Sequence, residues 1–164
     1  MKKSVTITKN VYIQPSYINS NIMKNVFSML QNKYEKTCDE DDGLILSIDE
    51  IQKVNNMISK DSSYIIFEIT FTATVIKPEK GVKFSVKPSY ILSSKGIFSK
   101  MYDNINIFVP ESNIKDIKDW IYENDSYKNK KNGKVIDKNS EIQVIINDIK
   151  FNSTKYNCVC SLCD

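Results

Sequence analysis

Strict alternation of apolar and polar side chains marks the middle of the chain. Phe67, Ile69, Phe71, Ala73 and Val75 fall on one face at period two and Glu68, Thr70, Thr72 and Thr74 on the other, which predicts a half-buried strand. Pro78 has no N–H to give a ladder and Gly81 tolerates a positive φ, so the segment 77–81 ends the strand and turns the backbone. Val82, Phe84 and Val86 then alternate with Lys83, Ser85 and Lys87 as a strand in a new register. Lys77, Pro78 and Gly81 therefore form a predicted joint, either between two small β-rich domains or within one broken hairpin.

Val5 and Ile7 alternate with Thr6 and Thr8, and Val11 and Ile13 flank Tyr12, predicting a first strand with an irregularity at Lys9 and Asn10 that Pro15 ends. Ile22, Val26, Met29, Leu30 and Tyr34 recur at helical spacing over 21–34, with Ser20 or Asn21 as N-cap. Residues 39–42 read as an acidic turn closed by Gly43, 44–48 as a buried strand, and 55–63 as a polar loop. Beyond the joint, strands at 82–91, 97–102 and 105–109 are separated by turns at 93–96 and 103–104. Ile114, Ile117 and Ile121, with Trp120 beside them, predict a short helix or helical turn, 126–139 a lysine-rich loop, and 141–151 and 156–162 two more strands. Five strands with a long excursion between the third and fourth predict an OB-type barrel. The predicted class is α+β: a helix on an antiparallel sheet over 1–78, then an all-β barrel over 79–164.

Composition narrows the chemistry. The chain has 164 residues, long enough to bury a core without staples, and all of its 23 basic residues are Lys, with no His and no Arg. The usual general base near neutral pH and the guanidinium clamp on phosphate are both missing, which argues against catalysis and against a cofactor. A net charge of +3 confines any polyanion contact to local lysine clusters. No apolar run reaches a membrane span, and Met1-Lys2-Lys3 leads into alternation and not into an apolar signal core, so an intracellular protein with no membrane partner is expected. The wealth of Lys, Asn and Ile points to an A- and T-rich genome.

Cys158, Cys160 and Cys163 crowd one end, and with Cys38 they make a poor zinc set, because Cys158 and Cys160 at period two merely share a strand face. Reduced thiols and no metal are expected. The acidic run Asp39-Glu40-Asp41-Asp42 matches no ion-binding loop and reads as a solvated turn. The sharper constellation lies on the second and third barrel strands. If Ile97, Ser99 and Met101 point inward, Phe98, Lys100 and Tyr102 point outward, and Phe108 joins them from the next strand. OB domains stack bases on such rings and hold the backbone with Lys. The loop 128–134, with Lys128, Lys130 and Lys131, reads equally as a phosphate contact or as a solvated insertion.

Six stretches recur together in order and spacing: Gln14-Pro15-Ser16-Tyr17; Lys33-Tyr34-Glu35-Lys36-Thr37-Cys38; Gly43-Leu44-Ile45-Leu46; Phe71-Thr72-Ala73-Thr74-Val75-Ile76-Lys77-Pro78 with Gly81; Lys95-Gly96-Ile97-Phe98; and Lys138-Asn139-Ser140-Glu141-Ile142-Gln143-Val144. Over nearly its full length the chain thereby resembles the stalk subunit of multisubunit RNA polymerases, the seventh subunit of RNA polymerase II and its archaeal counterpart. The resemblance implies a noncatalytic role in transcription initiation and elongation. It implies a tip domain, 1–78, that docks on the polymerase core and holds Pro15, Ser16, Tyr17 and Gly43. It also implies an S1-like OB domain, 79–164, that meets emerging single-stranded RNA through Lys95, Phe98, Lys100, Tyr102, Phe108, Lys128, Lys130 and Lys131, and a second stalk subunit along the seam. The chain departs from the family in lacking a second glycine after Gly81, in carrying Gln143 where the family prefers a basic residue, and in ending Val159-Cys160-Ser161-Leu162-Cys163-Asp164. With the base bias, these departures suggest a large DNA virus, hence a cytoplasmic factory or virion, or a nucleus if the source is a cellular eukaryote. The alternative is a free-standing OB-fold RNA-binding protein in RNA processing or translation, for which residues 1–78 would have no evident use.

Overall fold

The computed structural model describes residues 1–58 and 63–163. They fall into two compact units, Met1–Lys77 and Pro78–Asp164.

The first unit runs β1 (Lys2–Ile13), a 3-10 turn (Pro15–Tyr17), α1 (Ile22–Tyr34), β2 (Cys38–Asp39), β3 (Gly43–Ile58) and β4 (Ile65–Ile76). The strands form one antiparallel sheet in the order β1-β4-β3-β2. Central β4 buries Phe67, Ile69, Phe71, Ala73 and Val75 on one face, as alternation predicts. Its threonines face away, with Thr70 bonded to Thr8 at 3.0 Å and Thr74 to Asp49 at 2.8 Å. α1 closes the core with Val26 and Leu30, both 0% exposed.

Two sequence expectations need correction in this sheet. β1 is regular throughout, each residue from Lys2 to Ile13 opposing one residue of β4. What looks irregular is Lys9, which takes a core-side position between buried Ile7 and Val11. Its ammonium reaches the acidic turn, 2.8 Å from Asp42 and 3.6 Å from Asp39. The long apolar stem lies along the core while the charge stays at the rim.

The second correction concerns β3, which continues to Ile58 through Asn55 and Asn56, where a loop was expected. The part of that loop at 59–62 lies outside the described residues. Register shifts at Ile45/Ser47, Ile48/Glu50 and Ile51/Lys53 each insert one extra residue. As a result Ile45, Ile48, Ile51 and Val54, spaced by three, oppose Val75, Ala73, Phe71 and Ile69, spaced by two. A period of three matches neither strand nor helix, so the pattern hid the strand. Glu35 Oε1 accepts the Ile48 amide at 2.9 Å, which satisfies a backbone donor at one of these irregularities.

The Lys9 contacts set an alkaline limit for this unit. The hydrogen bond to Asp42, ahead of the opposing effect of burial and helped by the charges of Asp42 and Asp39, holds the ammonium above its usual 10.5. A group whose pKa is raised in the folded state contributes stability that is complete below the unfolded pKa and is lost as pH rises through the folded one. The melting-temperature difference between parent and Lys9→Met should therefore be largest at neutral pH and shrink above pH 10.5. A difference that does not change through that range would show that the pair adds nothing to folding.

The second unit carries β5 (Lys83–Val86), β6 (Tyr90–Leu92), β7 (Gly96–Met101) and β8 (Ile105–Pro110), then 3-10 turns at Glu111–Asn113 and Ile117–Asp119. β9 (Trp120–Glu123), β10 (Ser126–Asn129), β11 (Val135–Ile136), β12 (Ile142–Asn152) and β13 (Lys155–Leu162) follow. The main sheet has the order β5-β12-β13-β8-β7-β6, with β8 and β13 parallel. Its two end strands are consecutive in the chain, separated only by 87–89, so the sheet curls back on itself. Buried Pro88 supplies no ladder donor at the break, while Ser99 Oγ donates to the Lys87 carbonyl at 2.5 Å and the Ser89 amide to the Phe98 carbonyl at 2.7 Å. Counting β5 and β6 as one interrupted strand, this is the five-stranded connectivity of an OB-type barrel. Gly81 has φ +83°, and its amide donates to Ile146 at 2.8 Å, tying the turn to β12.

The excursion between β8 and β12 differs from expectation. Trp120 and Ile121 start a strand, not a helix, and the expected lysine-rich loop contains β10 and β11 in a separate sheet of order β11-β10-β9. Tyr127, 1% exposed, anchors it, its hydroxyl donating to Glu111 Oε1 at 3.0 Å. A four-residue strand of Ser, Tyr, Lys and Asn and a two-residue Val-Ile strand carry too little alternation to be told from loop.

Candidate nucleic-acid interface

The outer face of the barrel is set by the pairing of β6, β7, β8 and β13. Tyr90 opposes Phe98, Phe98 opposes Phe108, and Phe108 opposes Val159, which places these side chains in one row across four strands. One pleat further on, Lys100 opposes Asn106 and Asn106 opposes Asn157 in a polar row, with an Asn106–Asn157 side-chain bond of 2.9 Å. Inward of these, Ile97 is 1% and Ser99 5% exposed, so the predicted facing of β7 holds. The two rows bound a shallow cleft of about 520 Å³, whose lining also includes Lys155 of β13.

The three rings form a continuous stack. Tyr90 and Phe98 lie 4.7 Å apart at 13°, and Phe98 and Phe108 4.5 Å apart at 24°. Such spacing is favourable for aromatic pairs. Tyr90 escaped the sequence reading because Pro88 interrupts the alternation two residues before it; its one available signal is the aromatic immediately after that break.

The other sequence-predicted residues are placed elsewhere. Tyr102 is not on β7 but in the turn after it, at φ +57° and 52% exposed. Lys95 sits in the turn before β7, its carbonyl accepting the Glu111 amide at 3.0 Å. Neither lines the cleft, nor do Lys128, Lys130 and Lys131. Lys128 and Lys130 are exposed on and just beyond β10. Lys131 is held 2.7 Å from Asp119, and that hydrogen bond is the main cause of its raised pKa. The basic segment is therefore partly neutralised from within, at Lys131.

In the first unit Pro15, Ser16 and Tyr17 form an exposed turn, and Tyr17, Ile18 and Met23 are 54%, 42% and 50% exposed. Gly43 is buried at φ +87°, where a Cβ would lie 2.7 Å from the Ile76 carbonyl oxygen. Its place in the sequence pattern follows from that close approach.

Of the thiols, buried Cys158 borders this cleft from below, while Cys38, Cys160 and Cys163 do not line it. Burial pushes Cys158 up to about 11 and Cys160 up to about 12. Cys38 lies in the other unit and is likewise raised by burial to about 11. Among the described residues no group of three or more His, Cys, Asp or Glu is placed to hold a metal ion. No described helix is long and apolar enough to cross a membrane.

A helix-on-sheet unit followed by a curled OB-type sheet defines a two-part, mostly β protein of the tip-and-barrel class. Residues 8–68 match the family model described as the SHS2 domain found in the N terminus of Rpb7p/Rpc25p/MJ0397. The chain is 23% identical over 164 residues to DNA-directed RNA polymerase II subunit RPB7 of Glycine max, an alignment covering 98% of this chain and 91% of that protein. It is 22% identical over 113 residues to DNA-directed RNA polymerase II subunit 7 of Arabidopsis thaliana, covering 68% of this chain and 63% of that one. The resemblance to the polymerase stalk subunit thus rests on a domain match in the first unit and on an alignment that extends through the second.

Proposed function

We propose that this chain is a noncatalytic stalk subunit of a DNA-directed RNA polymerase that acts in initiation and elongation. The first unit docks on the core enzyme and the barrel contacts nascent single-stranded RNA. The observation that carries the reading is the alignment to subunit RPB7 across nearly the whole chain. The exposed Tyr17, Ile18 and Met23 suit docking, and the aromatic row beside Lys100 and Lys155 suits a single strand, whose bases stack while lysines follow the phosphates. Phosphodiester chemistry then belongs to the large subunits. The chain's location follows that of the enzyme: the nucleus for a cellular polymerase, a cytoplasmic factory or virion for a viral one.

The test separates the two surfaces in the full-length protein. Tyr17→Asp should lose co-purification with the large polymerase subunits and keep RNA binding, while Lys100→Glu should do the reverse. Parent protein purified from its native source without large polymerase subunits would overturn the assignment and favour a free-standing RNA-binding protein. The same purification reveals whether a second stalk subunit accompanies the chain in equal amount. RNA affinity should be micromolar or weaker, given a net charge of +3, and should fall steadily as salt rises.

A further inference from the structure

We infer that Tyr90, and not Phe98, is the ring on which an RNA base stacks; this rests on the proposed RNA contact of the barrel. Phe98 is the middle member of the stack, with Tyr90 against one face and Phe108 against the other. A base needs a free ring face, and Phe98 has none to offer. Phe108 has Phe98 on one face, and its neighbour on the next strand is Val159. Tyr90 is different. It lies on β6, the last strand of the sheet, with Phe98 on its inner side, and among the described residues no strand is hydrogen-bonded beyond it. Its 46% exposure is consistent with a free outer face. A base added there extends a stack already spaced at 4.5–4.7 Å.

The inner rings then have a definite role. Phe98 and Phe108 hold Tyr90 upright at the edge, so the platform is set before the ligand arrives and little side-chain freedom is lost on binding. They are positioning residues. Lys100, which opposes Asn106 one pleat away from the Phe98–Phe108 pair, supplies with Lys155 the cations in the cleft for the sugar-phosphate chain. The platform reads a base by its π face alone, so it should accept any base with little sequence preference.

The experiment titrates full-length protein with a labelled oligouridylate of about ten nucleotides, a length typical of an OB site. Tyr90→Ala should weaken binding about tenfold or more, the usual cost of losing one stacked base, with an unchanged melting temperature. Tyr90→Phe should bind as the parent does, since the hydroxyl plays no part. Photocrosslinking with 5-iodouridine in the same oligomer should map to the peptide containing Tyr90. Parental affinity in Tyr90→Ala, or a crosslink centred on Phe98 or Phe108, would overturn the inference while leaving RNA binding intact. Failure of the parent protein to bind the oligomer would instead remove the RNA reading itself, and the platform with it.

Discussion

Replacing Gly96 with Ala should unfold the barrel unit at ordinary temperature or leave it only marginally folded, with a loss of about 3 kcal/mol or more. Gly96 is buried at φ +133°, outside the conformations that other residues adopt readily. A Cβ there would drive into the Val109 carbonyl oxygen and come within 2.9 Å of the Glu111 nitrogen. Both are backbone atoms at the end of β8, where Gly96 pairs with Pro110 and the Glu111 amide bonds to the Lys95 carbonyl at 3.0 Å. Neither can move without opening the β7–β8 ladder that carries the aromatic row. Trp120 is the single tryptophan and lies in this unit, so its fluorescence in a urea titration reads the loss directly. A midpoint within error of the parent's would mean that the strand end yields more easily than its packing indicates.

The comparable change in the first unit is Phe71→Ala, with an expected cost of about 3–5 kcal/mol. Phe71 is 0% exposed at the centre of β4, opposing Ile7 on one side and Ile51 on the other. The void would lie within the cluster that α1 closes with Val26 and Leu30, and a sheet hydrogen-bonded on both sides of β4 cannot collapse to fill it. Thermal unfolding followed by the far-UV signal of α1 measures the effect. A loss below about 1 kcal/mol, well under the range for such sites, would show that the helix can settle into the space.

The sequence was legible where burial follows one period. β4 has a clean alternation because it is central and flanked on both sides, α1 shows its apolar stripe, and the facing of β7 could be read from Ile97, Phe98, Ser99 and Lys100. It was illegible where geometry changed the period. The bulges of β3 turned two into three, the core-side Lys9 put a charge at an apolar position, and the break at Pro88 within the predicted strand 82–91 hid the face that Tyr90 takes. The candidate site was therefore half visible. Outward direction is a property of strand parity and showed in the residues, whereas the mutual stacking that closes both faces of Phe98 depends on rings from three strands meeting. No local pattern encodes that meeting.

The bulges of β3 also bear on how the chain survives at high concentration. β2 pairs only with Leu44 and Gly43, so among the described residues most of the outer edge of β3 has no strand beside it. With Leu44, Ile45, Ile48, Ile51 and Val54 along its length, a flat strand of this composition would be a template for self-association. Three extra residues twist the edge and break the even spacing of its free N–H and C=O groups, and Glu35 occupies the Ile48 amide. A second copy in extended form finds no matching ladder to join. The irregularity that conceals the strand from a reader of the sequence thus also guards it against amyloid-like growth.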